Sequence, residues 1–173
     1  NGIPEAYGFT LNKDSLFISW VELDKALPGT GKSLFVSTVG TYNNGNTNVG
    51  INRLGVADYD NNGKKEIWFS VTSGYSRVPR ILVRLDPETE EIKKSEDIGL
   101  NPFHMTFHDI NDDRKMEIFA GSTGSYNLVE GIDAEIIDSR PYLMGYNSDF
   151  SMIFPPVPFT AGIANGIQLF VNP

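Results

Sequence analysis

Two short acidic stretches hold the residue types best suited to chemistry in this chain. In Asp58-x-Asp60-x-Asn62-Gly63-Lys64-x-Glu66, side chains bearing oxygen stand at positions 1, 3, 5 and 9. The order returns in Asp109-x-Asn111-x-Asp113-Arg114-Lys115-x-Glu117. Alternating hard oxygens suit calcium, which takes about six to eight of them at roughly 2.3–2.6 Å. A tightly curled loop aims alternate side chains at one centre and adds the carbonyl of position 7, here Lys64 or Lys115. Gly63 tolerates the positive φ that such a curl demands, whereas Arg114 at the same place bears a steric cost. Tighter binding is therefore expected at the first loop. A bound cation would also offset the repulsion among Asp58, Asp60 and Glu66.

The pattern is not an EF-hand. Phe69 stands where that motif places a bidentate glutamate, and the residues that follow favour a strand over a helix. A plainer alternative stays open, in which both loops are connectors whose Asp and Asn side chains cap turns on their own backbone.

The surroundings of the two loops also repeat. A shift of 51 residues places Asp58 on Asp109, Lys64 on Lys115, Glu66 on Glu117, Ile67 on Ile118 and Trp68 on Phe119. Residues 79–86 (PRILVRLD) resemble residues 140–147 (RPYLMGYN) once extra residues around 127–138 are set aside as an inserted loop. Each copy thus reads as an acidic loop, a strand, a turn, a second strand and a short tail strand. Turns are expected at 87–89 and 147–149. Further strands are expected at 15–23, 33–40 and 166–171, rich in β-branched and aromatic residues. Repeats of this length built from short strands indicate propeller blades. The expectation is one all-β domain over 1–173, with clear repeats at about 54–95 and 101–155 and degenerate strands at 8–40 and 160–173. The chain holds about 3.4 such units, fewer than a closed propeller uses, so further blades from outside this stretch are expected to complete the ring.

The run D-x-[DN]-x-[DN]-x-x-x-E-I leading into an aromatic strand resembles the calcium loop of FG-GAP repeats, also called VCBS repeats. These occur in integrin alpha chains and in many secreted or periplasmic bacterial proteins. The resemblance implies a β-propeller fold and metal ligation by Asp58, Asp60, Asn62, Lys64 and Glu66, and by Asp109, Asn111, Asp113, Lys115 and Glu117. Arg114 departs from the glycine of the pattern, and glutamate replaces the commoner aspartate at position 9. The resemblance also implies a secreted, cell-surface or periplasmic location.

Other motifs carry less. Residues 26–33 (ALPGTGKS) approximate a phosphate-binding loop, but the β-branched and Asn/Gly-rich residues after Ser33 are poor material for the helix that chemistry needs. His104 and His108 would share a strand face without an evident third metal ligand. Tyr75, Arg77 and Arg80 follow a strand and are expected on an exposed face, where such side chains suit sugar or peptide recognition. No nucleophile–base pair and no carboxylate pair across a cleft stands out.

Composition narrows the choice. A net charge of −8 over 173 residues argues against nucleic acid as a partner. The absence of cysteine excludes disulfides and thiolate zinc sites. No apolar run approaches the roughly 20 residues of a membrane-spanning helix. Because the chain starts at Asn1 without a signal-like segment, it is expected to be a processed product or part of something longer. Two functions remain. One is a calcium-stabilised, non-catalytic recognition or sensing module of an exported bacterial protein, binding a protein or a glycan, with the loop around 125–140 as a candidate recognition element. The other is the propeller portion of a polysaccharide-degrading enzyme resembling the rhamnogalacturonan lyases.

Overall fold

A computed structural model describes residues 4–25, 31–41, 45–74, 77–124, 136 and 139–159. Its strands form three antiparallel sheets, none of which closes on itself, and the described residues contain no α-helix. The chain divides into two compact units, Asn1–Asn48 and Val49–Pro173. The expected strand at 166–171 and nearly all of the inserted loop at 127–138 lie outside the described residues.

The first unit is a three-stranded meander of β1 (Glu5–Asn12), β2 (Ser15–Glu22) and β3 (Lys32–Thr38). In β2 the alternation of SLFISWVE is the cause of the strand. Leu16, Ile18 and Trp20 turn to the buried side, while Phe17 and Ser19 turn to the other. Lys13 takes positive φ (56°) in the two-residue turn that joins β1 to β2, where hairpin geometry calls for it. Lys32 and Ser33 open β3, so the ALPGTGKS run leads into a strand and offers no helix N-terminus to a phosphate.

The second unit holds two four-stranded sheets in which every strand pairs with its neighbour in sequence. The first contains β4 (Val49–Ala57), β5 (Glu66–Ser73), β6 (Arg80–Asp86) and β7 (Glu91–Lys94). The second contains β8 (Asn101–His108), β9 (Glu117–Thr123), β10 (Tyr142–Tyr146) and β11 (Met152–Pro158). The two meanders coincide with the two repeats, and in each the acidic loop connects the first strand to the second. The expected turns at 87–89 and 147–149 join β6 to β7 and β10 to β11.

The meanders pack face to face. Tyr59, Trp68 and Leu82 from the first meet Ile118, Ala120, Tyr142, Met144, Tyr146 and Phe150 from the second. Trp68 is fully buried, with ring centroids 4.9 Å from Tyr59, 5.8 Å from Phe107 and 5.0 Å from Phe150. Gly55, opposite Trp68 on β4, leaves the space that the Phe107 ring fills; a Cβ there would lie 2.9 Å from the ring. One polar tie crosses between the sheets, as Ser70 Oγ donates to the Pro102 carbonyl at 2.8 Å. Such burial contributes about 25 cal/mol per Å² of apolar surface, so this contact is the main reason the two repeats cohere.

Arg80 is buried in this unit, against the expectation of an exposed face. Its Nη1 donates to the Gly99 carbonyl at 2.6 Å, and its backbone amide donates to Asp97. A cis Val78–Pro79 bond precedes it. The side chain follows from strand alternation, since Arg80, Leu82 and Arg84 share one side of β6 and that side meets the second meander.

Candidate metal site

The first acidic loop runs from Asp58, just after β4, to Glu66, the first residue of β5. The spacing curls the chain because each acceptor meets an amide a few residues on. Asp58 accepts from the Asn62 amide (2.9 Å) on one oxygen and from the Gly63 amide (2.9 Å) on the other. Asn62 Oδ1 accepts from the Lys64 amide at 2.8 Å, and Glu66 reaches back to the Tyr59 amide at 3.3 Å. Asn61 (φ 58°) and Gly63 (φ 86°) supply the two left-handed residues of the curl.

The curl gathers carboxylates. Asp58, Asp60 and Glu66 each bring one oxygen into a group whose members lie within 4.8 Å of one another, and this cluster could hold a metal ion. Glu66 is almost fully buried, and its carboxyl is pushed up to about 7 by that burial and by the charges of Asp60 and Asp58. Three hard carboxylates so close together form a donor set suited to an oxygen-seeking divalent cation. Each carboxylate bound by one or two amides keeps lone pairs for a cation.

The second loop repeats the wiring residue for residue. Asp109 accepts from the Asp113 amide (3.2 Å) and the Arg114 amide (2.8 Å), and Asp113 accepts from the Lys115 amide (2.8 Å). Glu117 accepts from the Ile110 amide at 2.9 Å, the counterpart of the Glu66–Tyr59 bond. Asp112 (φ 59°) and Arg114 (φ 68°) take the left-handed positions, so the arginine does adopt the conformation that glycine adopts at lower cost. The interior differs. Asn111 Nδ2 reaches towards Asp113 and Glu117 at 3.4 Å each, so a neutral amide lies where the first loop has the Asp60 carboxylate. Among the described residues only the first loop draws three carboxylates into so small a span.

Two residues beside the first loop escape a reading of the sequence. Lys64 Nζ meets Glu88 at 2.5 Å in the turn after β6, and Asp86 lies near enough to add to the charge acting on Glu66. Burial favours protonation of Asp86, but hydrogen bonds from Thr89 and Glu88, together with Lys64, hold its carboxyl below the ordinary value. Pairing of β5 with β6, which sets Ile67 opposite Leu85, brings this turn alongside the loop. Pairing of that kind is the signal that could have found them.

The other expected residues do not assemble into a centre. His104 and His108 lie on one side of β8, about 13 Å apart at strand spacing, too far for a shared ion. His108 Nδ1 instead meets the Asp109 carbonyl at 3.0 Å. Tyr75 lies outside the described residues, as does most of the loop around 125–140. No family model matches the chain, and neither a curated protein nor a solved structure matches it.

Proposed function

We propose that this chain is a segment of an FG-GAP/VCBS-type β-propeller whose acidic loops take calcium as a structural staple. In this reading it serves an exported bacterial protein as a non-catalytic recognition or sensing module for a protein or glycan. The carrying observation is that two four-stranded meanders place the same loop, with the same amide-to-carboxylate wiring, between their first and second strands. Such recurrence fits a built device better than a chance connector. The dimensions also admit calcium: oxygens around that ion lie no more than roughly 4.6–5.2 Å apart, and the three carboxylate oxygens of the first cluster lie within 4.8 Å of one another.

Asp58, Asp60, Asn62 and Glu66 would hold the ion with their side chains and Lys64 with its carbonyl. The bound cation would neutralise the crowded carboxylates and tie β4 to β5, adding stability to the repeat. Its role there is electrostatic; the protein's part is to hold the donors in place.

Thermal unfolding in calcium against chelator tests the reading. A site held at 100 times its dissociation constant stabilises by about 2.7 kcal/mol, and the larger part of the shift is expected to be lost in Asp58→Ala. A folded protein whose transition ignores calcium would leave both loops as plain connectors.

A further inference from the structure

A backbone hydrogen bond joins the two acidic loops. The Met116 amide, just before Glu117, donates to the carbonyl of Tyr59, just after Asp58, at 2.7 Å. Both ends of this bond are backbone that the loops themselves use. The amide of Tyr59 donates to the Glu66 carboxylate at 3.3 Å, and its carbonyl carbon is bonded to the nitrogen of Asp60. Two of the three clustered carboxylates therefore depend on how Tyr59 is held. At the other end, the Met116 amide shares a peptide unit with the Lys115 carbonyl, which the calcium reading makes a donor of the second loop. The neighbours of that unit are tied down as well, since the Lys115 amide donates to Asp113 and Glu117 accepts from the Ile110 amide.

The link is stiff because Tyr59 is also a core residue. Its ring is buried, packs edge-on against Trp68 and lies 4.6 Å from the Arg84 guanidinium. A pull on its carbonyl is therefore passed along the backbone instead of being absorbed by a swinging side chain. A cation on a peptide carbonyl draws electron density from the N–H of the same unit and makes it a stronger donor, and linked hydrogen bonds polarise one another. Filling the second loop would thus hold Tyr59, and with it Asp60 and Glu66, in the arrangement that gathers the first cluster. Charge acts with the opposite sign, since a filled loop attracts a second cation less. Salt screens that effect between exposed groups and leaves a hydrogen bond in place.

We propose that the Tyr59–Met116 bond couples the two loops, so that calcium in either one tightens the other. Tyr59 is in this sense a positioning residue for both sites. Linkage makes the effect reciprocal, with the same factor in each direction. The inference rests on the calcium reading of the loops.

Calorimetric titration of the whole chain with calcium is the test. Asp109→Ala disables the second loop and leaves every donor of the first in place, yet first-loop affinity should fall by about five-fold or more. Asp109→Ser keeps an oxygen for the amides that Asp109 binds and serves where alanine unfolds the loop. Second-loop affinity should fall by the same factor in Asp58→Ala. A thermodynamic cycle then locates the coupling in the bond. With the α-hydroxy analogue of methionine at position 116, an ester oxygen replaces the amide donor while the side chain stays. In that background Asp109→Ala should no longer alter the first loop. First-loop affinity that is unchanged or higher without the second loop overturns the proposal, as does a penalty that survives the ester. Those results leave the calcium reading standing, whereas a folded chain that binds no calcium at either loop overturns both.

Discussion

The loops at 58–66 and 109–117 share a backbone and differ in what that backbone encloses. Both use amides at positions 5 and 6 to clamp the first aspartate, and both take left-handed φ at positions 4 and 6. The first gathers three carboxylates, whereas the second directs the Asn111 amide between two of its acids. Curl and charge are therefore separable. The spacing of acceptors shapes the loop, and the residue at position 3 decides how much negative charge the loop must neutralise. Strained Arg114, where the first loop has Gly63, deepens the contrast.

The largest effect expected from breaking this comparison lies beneath the loops, in the residues that begin the strands after them. Trp68→Ala should cost about 3–5 kcal/mol in urea unfolding, because its ring is sealed between the meanders. Phe119→Ala, at the equivalent place but only partly buried, should cost less than half as much. Equal costs would mean that the two repeats are packed alike after all.

At the loops themselves, calcium at 100 times the first site's dissociation constant should add about 2.7 kcal/mol there and less at the weaker second site. Asp58→Ala should remove most of the total gain and Asp109→Ala the smaller part, as read by calorimetric titration and melting. The reverse ranking would sink the argument from position 3. Two substitutions should bring the loops together. Arg114→Gly is expected to relieve about 1 kcal/mol of backbone strain, and Asn111→Asp to tighten calcium binding at the second loop by roughly ten-fold. Wild-type affinity in the double variant would show that neither residue sets the difference.

A pH series should separate the first loop more finely. Glu66 has its carboxyl raised in the folded, metal-free protein to about 7, from 4.5. Its contribution to stability is full below about 4.5 and is lost as the pH rises through 7. Metal-free protein should accordingly lose some stability across that window, and Glu66→Gln should flatten the loss. Calcium requires the ionised form, so binding should weaken as the pH falls through 7, with proton uptake on release. Calcium affinity unchanged between pH 8 and pH 6 would remove Glu66 from the donor set.

Much of this was legible before any coordinates. The alternation in SLFISWVE marks β2, and the turn residues after Asp86 and Tyr146 mark the hairpins that follow β6 and β10. Strands β5 and β6 gave less away, because both of their sides are buried and their residues read as near-continuous apolar runs. Arg80 misled for a related reason. A guanidinium normally signals surface, yet here it is buried and its Nη1 donates to the Gly99 carbonyl, while the neighbouring Arg84 guanidinium lies 4.6 Å from the centre of the Tyr59 ring.

By itself the sequence determined the local curl of the acidic loops, the 51-residue repeat and the strands that flank it. These depend on interactions between residues close along the chain, where spacing is destiny for hydrogen bonds and side-chain direction. Only the tertiary structure decided which side of each sheet is dry, which turn brings Asp86 and Glu88 beside the first loop, and that Asn111 holds an amide between carboxylates. Those outcomes depend on which distant strands pair and which faces meet, and alternation within one strand cannot tell one face from the other.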